Sequence, residues 1–244
     1  MNRRDFLKMI AGLIPATAIL RVQSSESLEK NYAMVVDVSK CIGCGKCVVA
    51  CKIENYVPID SKLSRTWIEG YSVDIGTSIK EIKVRKEILS TSKNPFLEKS
   101  WIEDIKGKKT FYVPKLCNHC ANAPCIEVCP VYARFHTKDG VVLVDKDTCI
   151  GCKYCITACP YGATFLHPKE KVTDKCTFCY HRIKKGATPV CVLLCPTEAR
   201  NFGKLEEGSK VQEMIKRNMT LVLKPEEGTF PRVFYLNLDM VVDL

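Results

Sequence analysis

All sixteen cysteines of this 244-residue chain fall into four groups of four. Cys41, Cys44, Cys47 and Cys51 form the first group, and Cys117, Cys120, Cys125 and Cys129 the second. Cys149, Cys152, Cys155 and Cys159 form the third, and Cys176, Cys179, Cys191 and Cys195 the fourth. A chain of this length can bury an apolar core without covalent staples, so the cysteines point to another purpose. Disulfides, zinc and iron–sulfur clusters compete for that purpose, and spacing separates them. The first and third groups read C-x2-C-x2-C-x3-C. Three closely spaced cysteines let one loop wrap three corners of a cubane cluster, and the fourth is turned away by the helix that starts there, toward a second cluster. Structural zinc instead favours paired C-x2-C steps, alone or with histidines. The chain has four histidines, and none makes an H-x3–5-H pair.

An internal repeat runs through the groups. "VDVSKCIGCGKCVVAC" at 36–51 echoes "VDKDTCIGCKYCITAC" at 144–159, and "PCIEVCPVYAR" at 124–134 echoes "PVCVLLCPTEAR" at 189–200. Groups one and three are thus one type and groups two and four another. Proline follows the last cysteine in groups two, three and four (Pro130, Pro160, Pro196), where group one has Lys52.

A two-cluster unit takes one group of each type, and the linkers choose the pairing. Asp139-Gly140 signals a hairpin turn between groups two and three. The stretch "YGATFLHPKEKVTDK" between groups three and four is interrupted by Pro168 and reads as lacking a hairpin. Groups one and two are 65 residues apart, too far for a tight repeat. Groups two and three therefore pair, and the meeting of groups one and four folds the sequence back on itself. With each run's last cysteine crossing over, four ligand sets follow. The first is Cys41, Cys44, Cys47 and Cys195, and the second is Cys51, Cys176, Cys179 and Cys191. Cys117, Cys120, Cys125 and Cys159 form the third set, and Cys129, Cys149, Cys152 and Cys155 the fourth. The expected fold is α+β, with two interlocked two-cluster ferredoxin-like modules, an inserted segment and an extended C-terminal tail. Its divisions are 32–51 plus 160–204 (first module), 52–114 (insert), 115–159 (second module) and 205–244 (helix and wrapping tail).

Beyond the cysteines, "LCNHC" at 116–120, "KCTFCYHRIKKG" at 175–186 and "LKPEEGTFPRVFYL" at 223–236 carry a resemblance. The chain resembles the four-cluster iron–sulfur subunits of dimethyl sulfoxide, polysulfide, thiosulfate, tetrathionate and respiratory arsenate reductases. The resemblance implies four [4Fe-4S] clusters. It also implies an electron relay between a molybdenum or tungsten bis-pterin catalytic subunit and a quinone-reactive membrane subunit. Alternatives are a subunit of an exported hydrogenase or formate dehydrogenase, or a freestanding polyferredoxin. No nucleophile–base constellation, phosphate loop or flavin motif occurs, so no catalytic residue is assigned. The basic residues are dispersed and no aromatic-basic RNA motif appears, so nucleic acid is not an expected partner.

Arg3-Arg4-Asp5-Phe6-Leu7-Lys8, followed by "MIAGLIPATAIL", resembles a twin-arginine export signal over 1–26. The expected location is the periplasm or the outer face of the cytoplasmic membrane. Ala16-Thr17-Ala18 is a candidate cleavage site, and a retained signal is equally consistent. Four clusters at about −2 each would cancel most of the formal charge of +10. "EIKVRKEIL" at 81–89 and "KTFYVPKL" at 109–116 read as strands. Ser209 with Gln212 fits a capping box ahead of a short helix. Residues 229–236 read as an extended tail packed on the core. His119 is either a cluster-tuning group or a partly exposed loop histidine. Arg182, Lys184 and Lys185 are either a partner-facing patch or a solvated loop.

Overall fold

The computed structural model describes residues 31–73, 82–87, 106, 108–239 and 242. The expected export signal at 1–26 lies outside the described residues. The backbone is mixed helix and strand, as expected for an α+β fold. Ala33, Met34, Val35 and Val36 explain the first element. A run of four apolar residues suits a strand with both faces covered, and all four are 0% exposed in β1 (Tyr32–Asp37). Met34 and Val36 face the main core, with Trp67, Leu116, Phe178 and Tyr235. Ala33 and Val35 face a second cluster with Val211 and Leu236.

An insert sheet covers the core. β2 (Thr66–Val73) is buried along its whole length and lies between β3 (Ile82–Glu87) and β4 (Lys109–Leu116), antiparallel to both. The two expected strands of the insert are thus present, flanking a third. Trp67, Ile68, Tyr71, Val113 and Leu116 join the main core, so the insert is structural.

Two small hairpins follow. β5 (Arg134–His136) pairs with β6 (Val142–Val144) around the expected Asp139-Gly140 turn. Gly140 has φ +72°, a left-handed turn conformation that favours glycine, and a side chain there would also displace the ends of Asn31 and Arg232. β7 (Thr164–Leu166) pairs with β8 (Thr173–Lys175), which corrects the expectation that no hairpin joins groups three and four. Pro168 sits in the connecting loop, where no ladder hydrogen bond is needed, and so breaks neither strand. The loop is closed by the His167 N–H donating to Val172 O at 2.8 Å.

Short helices follow the cysteine loops: α1 (Lys46–Glu54), α2 (Pro124–Glu127), α3 (Tyr154–Thr157), α4 (Tyr180–Ile183) and α5 (Val190–Leu193). α1 packs against α5, and α2 against α3. β9 (Arg200–Lys204) then lies antiparallel to β1. α6 (Lys210–Arg217) is capped by Ser209, whose Oγ accepts the Gln212 N–H at 3.2 Å. The Ser209 N–H goes to Glu206 O, not to the Gln212 side chain, so the capping box is one-sided. β10 (Thr220–Leu221) and β11 (Val233–Leu236) complete the sheet in the order β10-β11-β1-β9. β11 runs parallel to β1, with Met34 opposite Val233. The tail is therefore an interior strand. Among the described residues no helix is long and apolar enough to cross a membrane.

Candidate metal centres

Every cysteine lies at a loop or on the first turns of a short helix. In the first and third groups the loops repeat one geometry. Gly43 and Gly151 have φ of +66° and +69°, and Gly45 and Lys153 take up left-handed conformations just before α1 and α3. The same repeat fixes the backbone ahead of each loop. Asp37 N–H donates to Ala199 O and Asp145 N–H to Ala133 O, both at 2.7 Å.

Three small cavities each have four cysteines in their walls. Cys51, Cys176, Cys179 and Cys191 line one. Another is lined by Cys117, Cys120, Cys125 and Cys159. The last has Cys129, Cys149, Cys152 and Cys155. Each draws cysteines from two sequence groups. The remaining four also interact. Burial pushes the Cys47 thiol up, Arg200 pulls it back, and Cys44 and Cys195 push it further. Burial likewise pushes Cys41 up to about 11, with Cys47 and Cys44 adding to the rise. Every cysteine is a free thiol.

The donor chemistry fits iron–sulfur clusters. Each set offers sulfur alone, the soft ligand such clusters take. A zinc ion at about 2.3 Å from each of four sulfurs would draw them onto one point. The thiols of three of the sets line one cavity each. Burial drives Cys120 up to about 12 and Cys191 to about 11, and Cys176 further still. Such sites disfavour bare thiolates, and a cationic iron core would supply the compensation that ligation needs. N–H groups are already aimed at the sulfurs. Phe178 N lies 3.3 Å from Cys176 Sγ, His119 N 3.5 Å from Cys117 Sγ, and Asn55 Nδ2 3.5 Å from Cys51 Sγ. Contacts of this kind orient ligands and tune the metal.

His119 is fully buried, which corrects the reading of a partly exposed loop residue. Its ring stacks on Phe178 at 3.7 Å, and Nδ1 accepts the Val142 N–H at 3.1 Å. Burial, with Lys175 and Arg232 beside it, holds the imidazole neutral, well below the usual range. Arg182 is pinned to the Glu54 carboxylate at 3.2 Å and to Thr188 O at 2.9 Å, while Lys184 and Lys185 are exposed.

Two residues escaped the sequence reading. Arg134 and Arg200 are each 2% exposed and stand beside cysteines of two sets. The signal was present, because both echoed segments end in Ala-Arg.

Comparison with known proteins agrees with the chemistry. Residues 40–133 and 108–205 each match the 4Fe-4S dicluster domain family. A tetrathionate reductase subunit of Salmonella typhimurium is 36% identical over 251 residues, covering 98% of this chain and 89% of the relative. Its namesake in Archaeoglobus fulgidus is 41% identical over 208 residues, covering 85% and 83%. One polypeptide of the polysulfide reductase of Wolinella succinogenes is 34% identical over 209 residues, covering 85% and 94%. Two dicluster matches and sixteen cysteines fit four [4Fe-4S] clusters. This protein therefore belongs to the iron–sulfur electron-transfer subunits of the tetrathionate, dimethyl sulfoxide, polysulfide and arsenate reductase type.

Proposed function

We propose that this chain relays single electrons through four clusters. The relay joins a molybdenum or tungsten bis-pterin catalytic subunit to a quinone-reactive membrane subunit. The cysteines at 41, 44, 47 and 195 would hold the first cluster, those at 51, 176, 179 and 191 the second, those at 117, 120, 125 and 159 the third, and those at 129, 149, 152 and 155 the fourth. Two interlocked modules, 32–51 plus 160–204 and 115–159, would carry two clusters each. The packing of α1 on α5 and of α2 on α3 supports this division. With the β7–β8 hairpin present, the linkers alone do not distinguish the two pairings. When bound, each cluster takes up and gives back one electron.

The observation that carries the reading is the graded burial of the four sets. Every cysteine of the second set is buried, as are Cys117 and Cys120 of the third, while Cys125 and Cys159 of the third are partly open. Cys41, Cys44 and Cys195 of the first set are partly open, and in the fourth Cys152 is exposed. Cys47 adds to the upward push on Cys191, and Cys117 to that on Cys176, so the first set neighbours the second and the second the third. A line of four sites with a sheltered middle and open ends suits a conductor between two partners. The side chains around the inner sets exclude water, and their N–H groups hold the sulfurs in place.

Export by the twin-arginine route to the outer face of the cytoplasmic membrane belongs to the same proposal, on the strength of residues 3–8. Purification of the native complex from membranes tests it. The expected result is copurification with a molybdenum- or tungsten-containing subunit and a membrane subunit, with about sixteen irons per chain. Recovery only as a lone soluble protein contradicts it.

A further inference from the structure

Three buried cations alternate with the four cysteine sets. Arg200 is 2% exposed and stands beside Cys47 and Cys191, with Cys41 further off. Cys41 and Cys47 belong to the first set and Cys191 to the second. Arg134 bears the same relation to the other two sets: it is 2% exposed, lines the cavity of Cys129, Cys149, Cys152 and Cys155, and stands beside Cys125 of the third set. The third cation is Lys175, fully buried and adjacent in sequence to Cys176 of the second set. Its ammonium donates to Val142 O and, at 2.9 Å, to Cys176 O, and its charge reaches Cys125 of the third set.

Among the described residues no carboxylate pairs with any of the three. Arg200 Nη2 donates to Thr66 Oγ1 at 2.8 Å, and Arg134 donates to the Thr164 and Thr173 hydroxyls at 3.3 and 3.2 Å. All these partners are neutral. Arg200 Nη1 and Arg134 Nε are buried with no acceptor among the described residues. Arg65 shows the contrast. It also acts on Cys51, but Asp174 neutralises it at 2.9 Å. A buried charge with no counter-charge is among the costliest features a fold can hold. The anions within reach are the cysteine sulfurs and what they bind. Arg134 and Arg200 also occupy one position of the duplication, five residues past Cys129 and Cys195.

We propose that Arg200, Lys175 and Arg134 form a ladder of buried counter-charges, one between each two neighbouring cluster sites, that favours the reduced clusters. The proposal rests on the four-cluster reading above. Reduction adds one negative charge to a cluster, and a fixed cation in a low-dielectric interior favours that added charge. Each inner site is flanked by two cations and each end site by one.

EPR-monitored redox titration of the whole complex tests the ladder, using Arg134→Gln and Arg200→Gln with Arg→Lys controls and iron analysis throughout. With iron retained, Arg134→Gln should make two centres harder to reduce. Their reduced-to-oxidised ratio at fixed potential should fall about tenfold, which is about 59 mV for a one-electron couple. Arg200→Gln should move the other two centres, and the Lys variants should stay near wild type. Full iron with unmoved centres overturns the ladder, as does one pair of centres responding to both Gln variants. Lys variants that fall as far as Gln variants overturn it too. Should a Gln variant lose iron, its Lys counterpart decides: restored iron supports the counter-charge, and iron still missing contradicts it. Wild-type iron well under about sixteen per chain is a separate failure, that of the four-cluster reading itself.

Discussion

Groups one and four hang on the four-stranded sheet β10-β11-β1-β9, whose central strands are sealed on both faces. Groups two and three are joined by the β5–β6 hairpin, and β7–β8 leads from group three to group four, each with three-residue strands. The cysteine loops are nevertheless alike in both halves, down to the bonds from Asp37 to Ala199 and from Asp145 to Ala133. The loop geometry thus needs only the local turn and one anchoring bond, and the scaffold behind it is free to differ. What differs is reach. The hairpins close over a few residues, whereas β1 finds β11 some two hundred positions away in sequence, with Asp37 opposite Leu236. The first half must therefore wait for the C-terminal strand before it closes.

The largest effect is expected at the centre of the large sheet. Tyr235 is 0% exposed and its hydroxyl donates to Pro114 O at 3.2 Å. Tyr235→Ala should cost about 3–5 kcal/mol, like other large aromatic truncations. It should lower the melting temperature of the iron-loaded protein and release the centres of groups one and four first. Simultaneous loss from both halves would contradict the division. Asp174→Asn is next. It strands Arg65, whose side chain is 7% exposed, at a cost of about 3 kcal/mol. Because the pair ties the insert to β8, thermal melts should show both halves weakened together.

A smaller effect separates the insert from either half. Burial alone would raise the Glu69 carboxyl, but Lys115 at 2.7 Å, with Trp67 and Tyr71 donating, holds it below its ordinary value of 4.5. As pH falls, the unfolded chain takes up this proton first. Glu69's contribution is therefore present above pH 4.5 and lost as pH falls toward the depressed folded value. Glu69→Gln should cost about 2 kcal/mol near neutrality and flatten this part of the acid dependence in melts taken across that range. Smallest of all is Lys146→Met. The Lys146–Glu170 pair spans the two hairpins, with side chains 43% and 38% exposed. Its loss should change stability by less than about 1 kcal/mol and vanish in high salt.

Much of this was legible in the sequence because it is local. The cysteine spacing, the repeat, the Asp139-Gly140 turn, β4 and the Ser209 cap each depend on a few adjacent residues. Pro168 misled because proline forbids a strand interior but not the loop of a hairpin. His119 misled because a polar residue in a loop ordinarily meets water, whereas its neutral ring is stacked on Phe178. The parallel pairing of β1 with β11 was beyond reach, since two short apolar runs so far apart in sequence carry no mutual register. Arg134 and Arg200 look like surface arginines until the fold closes a cysteine set on either side of them.

The crossover of cysteines between groups is the claim on which the rest depends, and Cys195→Ser tests it most directly. EPR spectra of this variant are to be compared with those of Cys41→Ser and Cys51→Ser, each with its iron content. Cys195→Ser should reproduce the altered centre of Cys41→Ser and leave untouched the centre disturbed by Cys51→Ser. A Cys195→Ser spectrum matching that of Cys51→Ser contradicts it.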